Sequence, residues 1–452
     1  MAKEAIKMPL VKRKNDSEKD QLVIRGGKKL KGEIVIRGAK NSIPKCMVAA
    51  LLTNEQCVLH NVPDIKDVRI VSEMIQAMGG EVVQLEEGSL KIITKNVQPI
   101  NPRQLKHIAR KSRIPILFAG PLLRRFGTAM IPELGGCSIG PRPVDYHMHA
   151  LEKLGATVST IPSGYHITSK KLTGTKIRLP YPSVGTTEQV LLAAVKADGV
   201  TELSNAAVEP EIIDLISLLQ KMGAIISVDI DRVITVIGTG ELRGYEHSAL
   251  PDRLEAASWA CAALVTDGKI HVKNARQLDM TTFLNKYQQI GGRFEVDESG
   301  ITFWKGGALH SIALETDVHP GFVTDWQQPF VVVLTQAHGA SIVHETVYEE
   351  RFGFVEPLNN MGAQIQLYRE CLGGNKRCRF GQRNHYHSAV IMGPTALKGA
   401  EIVVPDLRAG FSYVIAALAA EGVSVVKNID IINRGYENFI DKLTALGAAI
   451  DV

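Results

Sequence analysis

One cysteine of the sequence lies where a thiol could react. Cys137 follows two glycines in the segment GGCSIGPRPVD, so we expect its backbone to be flexible and not packed in a core. Arg142 and His147 follow soon after, and a nearby cation lowers the pKa of a thiol. Cys137 is therefore a candidate acid or nucleophile, with an incidental loop cysteine as the alternative.

A second set of candidates lies at recurring strand-to-helix turns. Each turn puts polar or charged residues at the start of an apolar helix, where free N–H groups and the helix dipole attract anions. Several of these residues are cations, which favours a ligand with phosphates or several carboxylates. A helix cap or a local salt bridge is the alternative for any one of them. The turn residues are Lys40 and Asn41, Arg113, Ser183 and Gly185, Asp252 and Arg253, Asp325, and Asp406 and Arg408.

A third candidate is a possible metal site in the segment 368–388. Two cysteines and two histidines can bind zinc in a tetrahedral arrangement. The C-x6-C-x6-H-x-H spacing matches no common zinc motif, so a basic surface hairpin with incidental cysteines is the alternative. The four candidate ligands are Cys371, Cys378, His385 and His387.

Internal repeats supply the elements that would position these residues. An amphipathic helix, an apolar residue, a glycine and a β-rich run recur six times, as in SEMIQAMGGEVV and DKLTALGAAIDV. The glycine suits the left-handed position that ends a helix. A second pattern, a short strand leading through Asn into a turn, precedes most copies, but the copy IVHETVYEERF has Glu345 at the Asn position. The recurring glycines are Gly79, Gly155, Gly223, Gly291, Gly362 and Gly447.

The apolar helices that follow the charged turns complete the repeat. They are hydrophobic nearly all round, which predicts central burial. Each unit is then roughly β-α-β-α-β-β, and two groups of three units predict two similar α/β domains. We expect a tail at 1–20 and a division between the two domains near residue 250, and the strand at 22–26 could belong to either half.

Composition narrows the class of protein. The 452 residues are 45% hydrophobic and 22% charged, as in a globular protein. No run is long and apolar enough for a membrane span, and the N-terminus has no apolar segment typical of a secretory signal. The net charge of +5 is too small to indicate nucleic acid. We therefore expect a cytoplasmic protein with reduced cysteines, of which Cys46, Cys57 and Cys261 are buried in apolar runs.

These residues together resemble the UDP-N-acetylglucosamine 1-carboxyvinyltransferase family, within the EPSP synthase superfamily. The similarity runs from about residue 22 to 452 and includes GAKN, GGCSIGPRPVD, SVG, NAAVEPEI, LPDR, HPGFVTD, ETVYEERF, PDLRA and NRGYENFIDKL. It implies a two-domain inside-out α/β barrel of six repeats, three per domain, with the active site in the cleft between them. It also implies that the N-terminal strand joins the second domain, which gives an N-terminal domain at 40–249 and a C-terminal domain formed by 21–39 and 250–452. The implied reaction transfers the enolpyruvyl group of phosphoenolpyruvate to the 3-hydroxyl of UDP-N-acetylglucosamine, releasing phosphate, at the start of peptidoglycan precursor synthesis. No metal or organic cofactor is implied.

The resemblance also implies roles for particular residues. Cys137 would be the proton donor and the thiol that fosfomycin alkylates, Asp325 would handle the sugar hydroxyl proton, and Lys40 and Arg434 would also serve catalysis. The implied phosphoenolpyruvate contacts are Lys40, Asn41, Arg142, Arg351, Arg408 and Arg434. The implied UDP-sugar contacts are Asn41, Arg113, Arg142, Pro143, Val144, Asp145, Tyr146, Ser183, Val184, Gly185, Asp325 and Val347.

Some positions depart from the family pattern. Tyr181 stands where the family often has Lys, which leaves one uridine diphosphate contact open. The alternatives are an enolpyruvyl transferase for shikimate 3-phosphate or for another uridine nucleotide, and a sensor of UDP-sugars that has no activity. The GGC loop argues against the shikimate enzyme, and the retained charged residues argue against the sensor.

Overall fold

The computed structural model describes residues 20–86, 88–99, 107–108, 112–134, 144–373, 378, 380 and 384–451. The predicted tail at 1–20 falls outside these residues except for Asp20, whose carbonyl accepts a hydrogen bond of 2.7 Å from the Asn428 N–H.

Twenty-three strands lie in the described residues. They are β1 Gln21–Arg25, β2 Lys31–Val35, β3 Cys57–His60, β4 Glu81–Glu86, β5 Ser89–Ile93, β6 Thr128–Pro132, β7 Thr157–Ile161, β8 Gly164–Thr168, β9 Lys176–Arg178, β10 Val200–Ser204, β11 Ile225–Asp229, β12 Val233–Ile237, β13 Glu246–Ser248, β14 Lys269–Lys273, β15 Gly292–Val296, β16 Gly300–Lys305, β17 Ala313–Glu315, β18 Gly339–His344, β19 Gln364–Tyr368, β20 Ser388–Gly393, β21 Glu401–Val403, β22 Val423–Lys427 and β23 Ala449–Asp451.

Twelve α-helices lie in the same described ranges. They are α1 Ile43–Ala49, α2 Lys66–Ala77, α3 Ala119–Phe126, α4 Asp145–Lys153, α5 Val184–Ala194, α6 Pro210–Lys221, α7 Arg253–Val265, α8 Thr281–Gln289, α9 Thr324–Leu334, α10 Val355–Asn360, α11 Leu407–Ala419 and α12 Phe439–Ala445. Short 3-10 helices cover Ala50–Leu52, Ile114–Phe118, Ile230–Arg232, Gln277–Met280 and Ile429–Arg434.

The chain folds as two compact units. Within the described residues, the first unit runs from 37 to 134 and from 144 to 250, and the second comprises 20–36 and 251–451. Each unit has its own hydrophobic core. β2 precedes the first unit in sequence but belongs to the second unit, where it pairs in parallel with β14, and β13 pairs in parallel with β3 within the first unit.

One sheet pattern recurs in both units. A short strand pairs in parallel with the next strand of its repeat, and two antiparallel strands follow, as in the order β17-β18-β20-β19. In the last repeat, the N-terminal strand β1 lies between β22 and β23 and pairs with both, in the position that β20 has in the sheet above. The α/β class and the β-α-β-α-β-β repeat predicted from the sequence are confirmed.

The apolar helices form the interior, as their all-round hydrophobicity predicts. In the second unit, α7, α9 and α11 pack against one another and are almost completely buried. The three sheets of this unit, in contrast, alternate buried and exposed residues along their strands. Sheets therefore cover a helical centre in this unit, and the charged starts of the helices lie at its polar end.

Two kinds of residue with positive φ recur at the turns of the repeats, a glycine after a helix and an asparagine after a strand. All six recurring glycines have positive φ, from 82° at Gly447 to 101° at Gly291 and Gly362, as the left-handed helix ending predicts. The four recurring asparagines also have positive φ, and each side-chain amide donates to a carbonyl just beyond the parallel neighbour strand. These asparagines are Asn61, Asn205, Asn274 and Asn428.

Candidate active site

Asp325 lies in the first turn of α9 but does not cap it. The N-cap position belongs to Val323, and no side chain accepts a hydrogen bond there. The Asp325 carboxylate instead receives two guanidinium groups. Arg351 Nη2 lies 2.6 Å from one oxygen, and Arg408 Nε lies 3.4 Å from the other. The N-cap alternative is therefore wrong for Asp325, whose charge is instead paired with these two guanidinium groups.

The two arginines around Asp325 are buried, while the carboxylate keeps some contact with solvent. The side chains of Arg351 and Arg408 are 2% and 5% exposed, against 24% for Asp325. Burial alone would lower the pKa of Arg351, but the carboxylates of Asp325 and Asp406 raise it. Several carboxylates thus keep these two buried guanidinium groups charged, and a charged guanidinium suits an anionic ligand.

Arg408 is held by the helix that carries it. The Asp406 carboxylate caps α11 by accepting from the backbone N–H groups of Arg408 and Ala409, at 2.9 and 3.1 Å. The Arg408 guanidinium donates to the Tyr436 hydroxyl at 3.2 Å. Burial alone would lower the pKa of Arg408, but Tyr436 and Asp325 raise it above its ordinary value. The cap on the backbone and the contacts of the side chain thus hold the Arg408 guanidinium in one orientation.

Glu345 organises the turn that carries Arg351. One carboxylate oxygen accepts from the N–H groups of Val347 and Tyr348, at 2.8 and 3.0 Å. The other accepts from the Thr324 hydroxyl at 3.0 Å, which joins this turn to the start of α9. Burial raises the pKa of Glu345, although Arg351 acts in the opposite direction. The sequence flagged Glu345 only as a break in the Asn pattern, and that break was the available signal for its role.

In the repeats with Asn at this position, the Asn side chain donates to a carbonyl just beyond the neighbouring strand. In the repeat that contains Glu345, Thr346 makes this contact. The hydroxyl of Thr346 donates to the Thr316 carbonyl at 2.6 Å, and the Thr346 N–H donates to the Thr316 hydroxyl at 2.9 Å. Thr316 follows β17 just as the acceptor residues of the Asn turns follow their strands. Because Thr346 makes the contact with the neighbouring strand, the residue at position 345 does not need to be Asn.

Arg434 is the last residue of the 3-10 helix Ile429–Arg434 and is partly exposed. It stands two residues before Tyr436, whose hydroxyl also contacts the Ser258 hydroxyl at 2.8 Å. Tyr436 is fully buried and stacks on Phe411, with ring centroids 4.3 Å apart. The sequence analysis missed Tyr436, although it lies within the NRGYENFIDKL motif.

The first unit carries the other predicted residues of the described part of the chain. Lys40 lies in the turn before α1, and its ammonium group is 3.0 Å from the buried carboxylate of Asp67 in α2. Asn41 is partly exposed, and its carbonyl accepts from Lys45 at 2.5 Å. Lys45 also pairs with buried Glu188 at 3.3 Å. Burial raises the pKa of Glu188 to about 7. Neither Asp67 nor Glu188 was singled out from the sequence.

The predicted UDP-sugar residues of this unit lie at three helix starts. Arg113 precedes the 3-10 helix Ile114–Phe118. Ser183 caps α5 by accepting from the Thr186 N–H at 3.3 Å. The remaining predicted residues flank the starts of α4 and α5, and all are at least partly exposed. They are Val144, Asp145, Tyr146, Val184 and Gly185.

His147 joins these helix starts. A Cβ at Gly185 would lie only 3.1 Å from the His147 ring, so the glycine permits close approach of α4 and α5. Burial lowers the pKa of His147 to about 4, and the nearby Arg113 cation acts in the same direction. His147 is thus neutral at pH 7. A neutral His147 carries no charge that could lower the pKa of the Cys137 thiol, so Arg142 remains the predicted source of that effect.

Cys137, Arg142 and Pro143 lie outside the described residues, so their predicted roles stay predictions. Among the described cysteines, Cys46, Cys57 and Cys261 are buried, as predicted.

The possible metal site needs one correction. The structure groups Cys371, Cys378 and His387 with His344, whereas His385 is not in the group. The antiparallel register of β18 and β20 sets His344 opposite Ser388, immediately beside His387. Sequence spacing could not show this neighbour, because it lies more than 25 residues earlier in the chain.

Known proteins match this architecture along nearly the whole chain. The enolpyruvyl transferase NikO from Streptomyces tendae superposes with a TM-score of 0.83 at 20% identity, covering 95% of this chain and 98% of its own. An EPSP synthase from Acinetobacter baumannii superposes with a TM-score of 0.75 at 17% identity, covering 95% and 99%. A profile of the EPSP synthase (3-phosphoshikimate 1-carboxyvinyltransferase) family matches residues 24–443. The fold is therefore that of the enolpyruvyl transferases.

Sequence relatives narrow the family. Proteins named UDP-N-acetylglucosamine 1-carboxyvinyltransferase are 49% identical in Protochlamydia amoebophila, covering 96% of this chain and 94% of theirs, and 46% identical in Chlamydia pneumoniae, covering 92% and 91%. The protein of that name in Granulibacter bethesdensis is 41% identical and covers 96% and 99%. The chain belongs to the UDP-N-acetylglucosamine 1-carboxyvinyltransferase family of the EPSP synthase superfamily.

Proposed function

We propose that this chain transfers the enolpyruvyl group of phosphoenolpyruvate to the 3-hydroxyl of UDP-N-acetylglucosamine and releases phosphate. The observation that carries the proposal is the Asp325 carboxylate, which pairs with the buried guanidinium groups of Arg351 and Arg408. The relatives at 41–49% identity support this acceptor over shikimate 3-phosphate or another nucleotide. The reaction would serve peptidoglycan synthesis, and through it cell shape and division.

The chemistry proceeds by addition and elimination. The sugar oxygen bonds to C2 of phosphoenolpyruvate while C3 takes a proton, which gives a tetrahedral intermediate. Loss of a proton from C3 and of phosphate from C2 then restores the double bond. Asp325 accepts the hydroxyl proton, because a carboxylate within hydrogen-bond reach suits this task. Cys137 supplies the proton to C3.

The cations serve the charges of phosphoenolpyruvate. Arg351 and Arg408 bind its carboxylate, and Lys40, Arg142 and Arg434 bind its phosphate. Buried, rigid cations stabilise developing charge more than mobile ones, because they need no reorganisation during the reaction. The contacts that hold Arg408 through Asp406 and Tyr436, and Arg351 through its turn, support this role.

We propose that the acceptor binds to the first unit through Asn41, Arg113, the start of α4 and the start of α5. Free N–H groups at helix starts suit the diphosphate, and Arg113 adds a fixed charge. Arg142, Pro143, Asp325 and Val347 complete the proposed acceptor contacts. We also propose that the protein acts in the cytoplasm, which the free described cysteines support. No helix in the described part of the chain is long and apolar enough to cross a membrane.

A phosphate-release assay tests the reaction. Phosphoenolpyruvate with UDP-N-acetylglucosamine should give stoichiometric phosphate and a UDP-sugar heavier by one enolpyruvyl group. Shikimate 3-phosphate and uridine nucleotides without the amino sugar should give none. Turnover with shikimate 3-phosphate alone would overturn the acceptor, and no turnover with any acceptor would favour the sensor.

Labelling with fosfomycin tests the thiol. We expect one inhibitor mass on the peptide that contains Cys137, and loss of labelling together with retained activity in Cys137→Asp, since a carboxylic acid can also donate a proton. Labelling of Cys46 or Cys261 with Cys137 untouched would overturn this assignment.

A further inference from the structure

The candidate metal group lies at one corner of the sheet β17-β18-β20-β19, and none of its four members is among the residues proposed for catalysis. His344 ends β18, His387 immediately precedes β20, and Cys371 lies three residues beyond β19. The register pairs both His344 and Tyr368 with Ser388, so these three strand ends meet at the same corner. Chain topology therefore concentrates ligating side chains at this corner.

The four side chains present their donor atoms to one small volume. One nitrogen or sulfur atom from each of His344, Cys371, Cys378 and His387 lies within 4.8 Å of all the others. Cys371 Sγ and His387 Nε2 are already 3.3 Å apart. In a tetrahedral zinc site with bonds of about 2.0–2.3 Å, donor atoms are roughly 3.3–3.8 Å apart. Small side-chain movements would thus complete the geometry.

The hydrogen bonds of Ser388 determine which nitrogen of His344 is free. The Ser388 hydroxyl donates its only hydrogen to the Glu370 carbonyl at 2.7 Å, and it accepts from the Leu372 N–H at 3.1 Å. It can therefore only accept from His344 Nδ1, which lies 2.9 Å away. The proton of His344 must be on Nδ1, which leaves the lone pair of Nε2 for a ligand.

The same reasoning holds for the second histidine. His387 Nδ1 lies 2.9 Å from the carbonyl oxygen of His385, which can only accept, so this nitrogen carries the proton. Nε2 then has a free lone pair and faces Cys371. Histidine ligands of metals commonly donate their other N–H to a carbonyl or similar acceptor, which fixes the ring. Both histidines therefore have the tautomer that a metal requires.

Burial distinguishes the two kinds of ligand. His344 and His387 are 2% and 0% exposed, and Phe380 packs against the His387 ring with centroids 6.1 Å apart. Cys371 is exposed, so a metal ion can enter from solvent. We propose that His344, Cys371, Cys378 and His387 form a structural zinc site that fastens the segment between β19 and β20 to the sheet. Four protein ligands close a tetrahedral site, which is typical of structural and not catalytic zinc.

Metal content of the full chain tests the site without using enzyme activity. Protein purified under reducing conditions is incubated with zinc chloride, desalted and analysed for metal. We expect about one zinc per chain. Cobalt in place of zinc should give the visible bands of tetrahedral coordination and a thiolate-to-cobalt charge-transfer band. Cys371→Ser combined with Cys378→Ser should reduce bound metal at least tenfold, and His344→Ala should do the same.

His385→Ala is the matched control, because only its backbone carbonyl contributes, and it should keep the metal. Circular dichroism identifies any variant that misfolds. If His344→Ala misfolds because His344 is buried, the single variant Cys371→Ser still tests the site, because Cys371 is exposed. Zinc-free wild-type protein, or equal metal in the cysteine variant, would overturn the site. A disulfide between Cys371 and Cys378, together with no cobalt bands, would also overturn the site. Loss of metal in His385→Ala but not in His344→Ala would overturn the ligand set.

Discussion

The starts of α7 and α11 differ from the start of α9, although all three helices occupy equivalent places in one unit. Asp252 and Asp406 are N-caps, and each accepts two backbone N–H groups of its own helix. The N-cap of α9 is instead Val323, which makes no side-chain cap, and the Asp325 carboxylate in the first turn pairs with Arg351 and Arg408. The same residue type therefore stabilises a helix in two repeats and remains available for chemistry in the third.

The turn after the middle strand shows the same contrast. Asn274 and Asn428 bridge to the neighbouring strand in the repeats on either side, whereas the fifth repeat has Glu345 and passes that bridge to Thr346. Both departures fall in one repeat. In a chain built from similar units, the copy that gives up a structural contact is the one to examine for function.

Loss of the Asp325 charge should have the largest effect. We expect Asp325→Asn to lower kcat by about 10²–10⁴-fold, because an amide cannot accept the hydroxyl proton. The melting temperature should fall as well, because the buried guanidinium groups of Arg351 and Arg408 lose a charged partner, so activity is compared at a temperature where the variant is folded. Phosphate release and thermal melting measure the two effects. Asp297→Asn, in the exposed turn between β15 and β16, should leave both unchanged. Full activity of Asp325→Asn would show that the contrast between the helix starts has no catalytic meaning.

Replacing a guanidinium comes next. Arg408→Lys keeps a charge but cannot contact Asp325 and Tyr436 together, so we expect kcat/KM for phosphoenolpyruvate to fall roughly 10- to 100-fold, as charged hydrogen bonds of this kind would predict. Initial rates at varied phosphoenolpyruvate measure it. Arg293→Lys, exposed on β15, is the control and should behave as wild type. An equal loss in both variants would argue against a specific role.

Restoring the common turn residue should have a moderate effect. Glu345→Asn removes the bonds to Val347, Tyr348 and Thr324, and we expect it to cost about 1–3 kcal/mol in the free energy of unfolding. Burial raises the pKa of Glu345 above 4.5, so the wild type should lose stability relative to this variant as pH rises from 4.5. Urea unfolding at several pH values checks both. If the free energies of unfolding of the wild type and the variant changed in parallel with pH, the raised pKa of Glu345 would be contradicted.

The Asp252 cap of α7 should give the smallest effect, which we expect on the stability of the protein. We expect Asp252→Ala to cost about 1 kcal/mol, because two N–H groups lose their acceptor. Asp252→Asn should cost almost nothing, since Asn also caps well. Thermal melting of the two variants side by side measures this. Equal destabilisation by Ala and Asn would mean that the charge and not the cap matters at this position.

Local patterns in the chain were sufficient for much of the fold. The six glycines predicted the left-handed helix endings, and the all-round apolar helices predicted the interior, because both depend on residues a few positions apart. The repeats alone left open which half the N-terminal strand joins, and only the fold shows its pairing with β22 and β23, since these partners are distant in sequence.

The sequence by itself determined the repeat, the buried helices, the family and the candidate residues, because these follow from residue types and short spacings. Only the tertiary structure decided what those residues contact. It separated Asp325 from the capping aspartates, made His147 neutral through burial beside Arg113, and put His344 in the place predicted for His385. The physical reason is that capping, desolvation and ligand geometry depend on neighbours brought close by strand register and helix packing, and these neighbours are far apart along the chain.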